Sequence, residues 1–80
     1  MDKFIRYGKN MYNLKSIHKF EYGYSKHHNH WWICITVGFT NSSIYIAEYR
    51  NENECKKEFY YIQDWIGNKK AIYIVGGEND

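Results

Sequence analysis

The sequence predicts an α+β domain, an antiparallel β-meander of order β-β-β-β-α-β with one amphipathic helix packed on one face. Three observations carry this. Only residues 51–66 combine a helical apolar period with a start and a stop signal. Elsewhere the apolar residues alternate and are rich in Ile, Val, Tyr and Trp, which suit a pleated sheet. Short Gly, Asn and Ser clusters separate these segments, and no proline interrupts them. Eighty residues make one domain, near the size at which a single core is marginally sufficient. Its expected span is 1–75, followed by a disordered acidic tail at 76–80.

Lys3-Phe4-Ile5-Arg6-Tyr7 is a short strand, stopped by the turn Gly8-Lys9-Asn10. Met11 to Leu14 is ambiguous. From Ile17 to Tyr24 the chain alternates, with Phe20, Tyr22 and Tyr24 on one face and Lys19 and Glu21 on the other. The polar run Ser25 to His30 ends this strand. Trp31 to Phe39 is the strongest strand, with Trp31, Ile33, Ile35, Val37 and Phe39 on the core face and Trp32, Cys34, Thr36 and Gly38 opposite. A turn at 40–43 leads into a returning strand, Ile44 to Tyr49. Both of its faces are apolar, Ile44 and Ile46 on one and Tyr45, Ala47 and Tyr49 on the other, so alternation leaves its orientation open.

Asn51 has a side chain suited to capping a helix, and Glu54 three places on completes a capping box. Cys55, Phe59, Ile62 and Ile66 form the apolar stripe, expected against Trp31, Ile33, Ile35 and Val37. Gly67-Asn68 stops the helix through a left-handed glycine. Lys69 and Lys70 stand where the helix dipole favours positive charge. Ala71 to Val75 is the final strand.

A fifth of the residues are aromatic, nine of them Tyr, more than one short helix covers. The sheet face away from the helix is expected to carry Trp32 and Cys34 with either the Ile44/Ile46 or the Tyr45/Tyr49 pair. Burying about 400 Å² of such surface at roughly 25 cal/mol/Å² amounts to about 10 kcal/mol before association costs, so a homo-oligomer is expected. Tyr60, Tyr61 and Trp65 flank the helix stripe and are the interface candidates.

No stretch approaches the roughly 20 apolar residues of a membrane span, and MDKFIRYGKN lacks the apolar region of a secretory signal. A cytoplasmic location is expected, with Cys34 and Cys55 as reduced core residues. The net charge of +2 is unevenly spread: residues 1–30 carry six Lys/Arg against Asp2 and Glu21, and all four histidines. This half is the anion-seeking side.

Within it basic and aromatic residues interleave. Arg6, Lys9, Lys19 and Lys26 are candidates to meet phosphate, and Tyr22, Tyr24 and Trp32 to stack on a base. The bland reading of the same residues is strand packing with ordinary surface lysines. His27, His28 and His30, with His18, offer imidazoles to a metal or an anion, but no fourth ligand stands in the run, and a solvated turn explains it equally. No catalytic set stands at a recognisable spacing, and Gly76-Gly77 precedes no helix, so neither an enzyme nor a phosphate loop is predicted. No cofactor is implied.

Asn13-Leu14, Ile17, and Ile44 to Tyr49 running into Asn51, Glu52 and Glu54 give the chain a pattern that resembles small bacterial and phage accessory proteins. In these a strand meander of pleckstrin-homology type leads into one helix. The resemblance spans roughly residues 3–66, and the strand after the helix departs from it. It implies an accessory protein, in several cases from a mobile element acting in the host cytoplasm, without catalytic residues. The expectation is a binding protein that inhibits a host defence protein or sequesters a nucleotide signal. The alternative is a single-stranded nucleic-acid-binding module.

Overall fold

A computed structural model describes residues 2–38 and 42–76. The strands are β1 (Phe4–Tyr7), β2 (Asn10–Asn13), β3 (Ile17–Ser25), β4 (His30–Val37), β5 (Ser42–Tyr49) and β6 (Ile72–Ile74), with the helix α1 (Glu52–Ile66) between β5 and β6. The chain is α+β. Its antiparallel meander is β3-β4-β5, and α1 packs on one face of it. Phe39, part of the turn expected at 40–43, and residues 77–80 of the expected tail lie outside the described residues.

The ambiguous stretch after the first turn is the strand β2. It pairs antiparallel with β1 across Gly8, whose φ of +60° makes the tight turn cheap for glycine. A 3-10 turn, Leu14–Ser16, then leads into the meander, with Asn13 accepting from the Lys15 amide at 2.9 Å. The last strand does not continue the meander. β6 lies parallel to β1, in a second sheet of order β2-β1-β6. Hydrogen bonds from Phe4 N to Ala71 O (2.8 Å) and from Val75 N to Arg6 O (2.9 Å) extend this short seam at both ends.

Between Ile33 and Cys34 the pairing of β4 with β5 shifts by one residue, so Ile46 and Ala47 together oppose Ile33. This bulge resolves the orientation that alternation left open. Ile46 (0% exposed) and Ala47 (4%) both point inward, and Ile44 and Tyr49 pack against the same core. Of the two pairs expected on the far face, only Tyr45 remains there, with its ring against Trp32. The apolar far face is accordingly smaller than the sequence suggests.

The core joins Ile5, Ile33, Ile35, Ile46, Cys55, Ile62 and Trp65. The stripe of α1 holds through Ile62, with Phe59 half-buried, but Ile66 is 38% exposed and Trp65 takes its place at 1%. The reason is the second sheet. Near its end α1 meets β6, where the Trp65 ring packs 5.7 Å from Tyr73 and Trp65 Nε1 donates to Lys70 O at 2.9 Å. The larger indole fills the gap between the sheets and leaves Ile66 on the rim.

Asn51 caps the helix, accepting from the Glu54 amide at 2.9 Å. At the other end Gly67 is not left-handed. It stays right-handed, with φ −91°, and the helix closes through Gly67 N to Asp64 O (3.2 Å) and Asn68 N to Trp65 O (3.1 Å), the tighter i to i+3 pattern. Lys3 brings a cation to this end: its Nζ donates to Trp65 O at 2.6 Å and to Asn68 O while sitting 5.2 Å from the Trp65 ring centroid.

Candidate functional site

The outward face of the meander carries a cleft of about 470 Å³ lined by Tyr24, Ser25, His28, His30, Trp32, Tyr45 and Glu48. That volume lies within the range of small-molecule sites, about 300–1,000 Å³. Its central feature is Trp32. The cross-strand partner of Trp32 on β3 is Gly23, and a Cβ there would stand 2.5 Å from Cζ2 and 2.8 Å from Cη2 of the indole. The ring therefore lies across the bare backbone of β3, where no other residue leaves it room. The Tyr45 ring meets it edge-on, 5.4 Å away at 81°.

The other strand beside Trp32 supplies Glu48, its partner in register on β5. His30 Nε2 lies 3.8 Å from Glu48 Oε1. The His30 and His28 rings stack at 5.5 Å and 10°, and His27 meets His28 edge-on. The turn at 26–29 that presents them is fixed by His28 N donating to Ser25 Oγ (3.2 Å), Tyr24 OH donating to Asn29 Oδ1 (3.2 Å) and a left-handed Asn29. Among the described residues no three His, Cys, Asp or Glu side chains are grouped to hold a metal ion.

The residues predicted to bind a ligand divide. Trp32 and Tyr24 line the cleft, and Lys26 stands exposed in the turn beside it. Lys19 lies on β3 and pairs with Glu21 at 3.4 Å. Tyr22 is removed from the site, because its register partner Ile33 is core and its ring packs 5.0 Å from Phe59 under the helix. Arg6 and Lys9 belong to the β1–β2 hairpin of the other sheet, with Arg6 Nε folded onto Gly8 O at 3.1 Å. Of the interface candidates, Tyr60 and Tyr61 are exposed on α1, whereas Trp65 is core and presents no surface to a partner. Tyr45 and Glu48 went unpredicted as site residues, since they are three apart and share a face only because of the bulge.

A second recess, of about 490 Å³, lies between α1 and β6 and includes Glu58, Tyr61, Asp64 and Tyr73. Its chemistry is turned inward. The Glu58 carboxylate accepts from Tyr49 OH at 2.7 Å, from Tyr73 OH, and from Gly76 N at 2.9 Å. Burial, and then the hydrogen bond and charge of Glu58, push the ionisation of both phenols far above its usual range. They are donors at any ordinary pH, and the cluster is a clasp. Burial likewise raises the Cys55 thiol to about 11 and the Cys34 thiol above its usual value. Both cysteines are buried and free, so neither is an activated nucleophile.

No helix among the described residues is long and apolar enough to cross a membrane. Compared with known proteins, the chain matches no family model, no curated protein and no solved structure.

Proposed function

We propose that this chain is a non-enzymatic binding protein that captures a nucleotide by stacking its base on Trp32 in the cleft of the meander. The observation that carries this is the indole laid across Gly23 and walled by Tyr45, an aromatic platform in a recess of nucleoside size. Lys26 and His28, in the adjoining turn, are placed to meet a phosphate. Lys19 is paired with Glu21, and His30 lies against Glu48, which offsets much of the positive charge on this face. With few unpaired cations on this face, a long polyanion gains little over a single nucleotide. The accessory role implied by the resemblance then becomes sequestration of a nucleotide signal.

The test is titration of the purified chain with nucleoside monophosphates and short oligonucleotides, followed by calorimetry and tryptophan emission. Saturable quenching by a mononucleotide, modest loss between 50 and 200 mM salt, and abolition in Trp32→Ala are expected. A steep salt dependence with no mononucleotide binding points instead to a strand-binding module. Unchanged affinity in Trp32→Ala removes the platform from the reading.

A further inference from the structure

Resting on that reading, we infer that the bound base is guanine, selected by the carboxylate of Glu48. Glu48 is the direct cross-strand neighbour of Trp32 and lines the same cleft, so a base lying on the indole turns one edge toward β5. Directly opposed residues on one sheet face stand about 4.5–5.5 Å apart at Cβ, within reach of a bound ring. An ionised carboxylate only accepts hydrogen bonds, and its two oxygens lie side by side. Guanine alone among the common bases presents two adjacent donors on one edge, N1–H and the 2-amino group. Adenine and cytosine set an acceptor nitrogen beside their amino group, and uracil flanks its single N–H with two carbonyls, so each turns a lone pair toward the carboxylate.

Two features hold Glu48 in this role. The bulge at Ile46 and Ala47 places it, with Tyr45, on the face of Trp32, where strict alternation from Tyr45 leads to Ala47. His30 Nε2, on the neighbouring strand, stands 3.8 Å from the carboxylate, and His30 is itself stacked on His28. The guanine edge and the phosphate are then read from opposite sides of the platform, by β5 and by the 26–29 turn.

The experiment titrates the full chain with GMP, IMP, AMP and CMP at one ionic strength, reading tryptophan emission and heat, and repeats the series with Glu48→Gln. IMP keeps N1–H and lacks only the 2-amino group. GMP is expected to bind roughly 5- to 150-fold more tightly than AMP, the discrimination of one bidentate pair, with IMP between them. Glu48→Gln offers a donor in place of one acceptor and is expected to bring GMP to within about twofold of IMP, the thermal melt staying unchanged. Equal affinity for all four, preference for AMP, or a GMP preference that survives Glu48→Gln overturns the inference and leaves the nucleotide reading intact. Absence of binding by any nucleotide overturns both. An oligoriboguanylate that binds more tightly than GMP supports guanine within a strand, and equal binding supports the free nucleotide.

Discussion

Replacing Glu58 with Ala tests whether the clasp between α1, β5 and β6 ties the two sheets together. The carboxylate accepts from Tyr49 OH, Tyr73 OH and the Gly76 amide, and Tyr73 is only 5% exposed. A hydrogen bond to a charged acceptor contributes about 1.5–3 kcal/mol, and a buried hydroxyl left without a partner costs about 1–3 kcal/mol. Counting the two phenols, and giving the more exposed Gly76 bond nothing, Glu58→Ala should lose about 3–6 kcal/mol. At roughly 0.05–0.15 kcal/mol per residue, a domain of this size has about 4–12 kcal/mol in total, so the variant should be close to unfolding at 37 °C. Urea unfolding followed by tryptophan emission, to which Trp65 beside Tyr73 contributes, measures the loss. Tyr49→Phe and Tyr73→Phe separate the two bonds, and a double-mutant cycle gives their coupling to Glu58. A loss below about 0.5 kcal/mol in Glu58→Ala, the size of an ordinary surface change, would refute the clasp.

Other expectations are of the same kind. Gly23→Ala sets a methyl 2.5 Å from Trp32 Cζ2, so the indole must lift from the sheet; a changed tryptophan emission and a loss of about 1–3 kcal/mol are expected, and neither should appear if the ring lies elsewhere. Lys3→Ala removes the cation at the end of α1 and should cost about 1–2 kcal/mol in urea unfolding, whereas Lys69→Ala should cost almost nothing. The Cys55 thiol is held at about 11 against 9.0 in the unfolded chain, so the folded state keeps its proton longer. Its contribution is complete below pH 9 and is lost as pH rises through 11, and the raised phenols of Tyr49 and Tyr73 add to that loss at still higher pH. Urea midpoints should be level up to pH 9 and fall beyond it, and a midpoint that rises there contradicts the burial of these groups. At pH 8 a thiolate-directed reagent should label Cys34 and Cys55 only after unfolding.

What the sequence discloses about this fold is local, and what it hides is where one segment meets another. The helix is legible nearly to the residue, because Asn51, Glu54 and the spacing of Cys55, Phe59 and Ile62 act within a few turns of one another. The meander is legible too, since Ile33 and Ile35 on β4 announce their face by alternation alone. The burial of Trp65 depends on a neighbour, Tyr73, in a sheet that alternation does not foresee. Lys3 closes the helix from 62 residues away, a contact no helical pattern contains. In the cleft, Trp32 and Tyr24 are visible as aromatic candidates, but the company of Tyr45 and Glu48 depends on a single extra residue in β5. Tyr22 fails as a site residue for a simple reason. Its ring packs 5.0 Å from Phe59 of α1, against the core and away from the cleft.

The seam between β1 and β6 also sets the order in which the chain is assembled during synthesis. Ile5 is wholly buried, yet its partner in the ladder is Tyr73, so it has no cover on that side until the 68 residues that follow it have been made. At about 5–20 residues per second the delay is roughly 3–14 s. The meander and α1 draw on residues 17–66, all of which are synthesised before β6. For that interval the β1–β2 hairpin offers an open edge, the kind of surface that pairs with other chains. A protease cut within 67–71 that frees β6 leaves the same edge exposed on an otherwise folded meander. A product that lacks β6 should therefore be prone to aggregate or to be degraded.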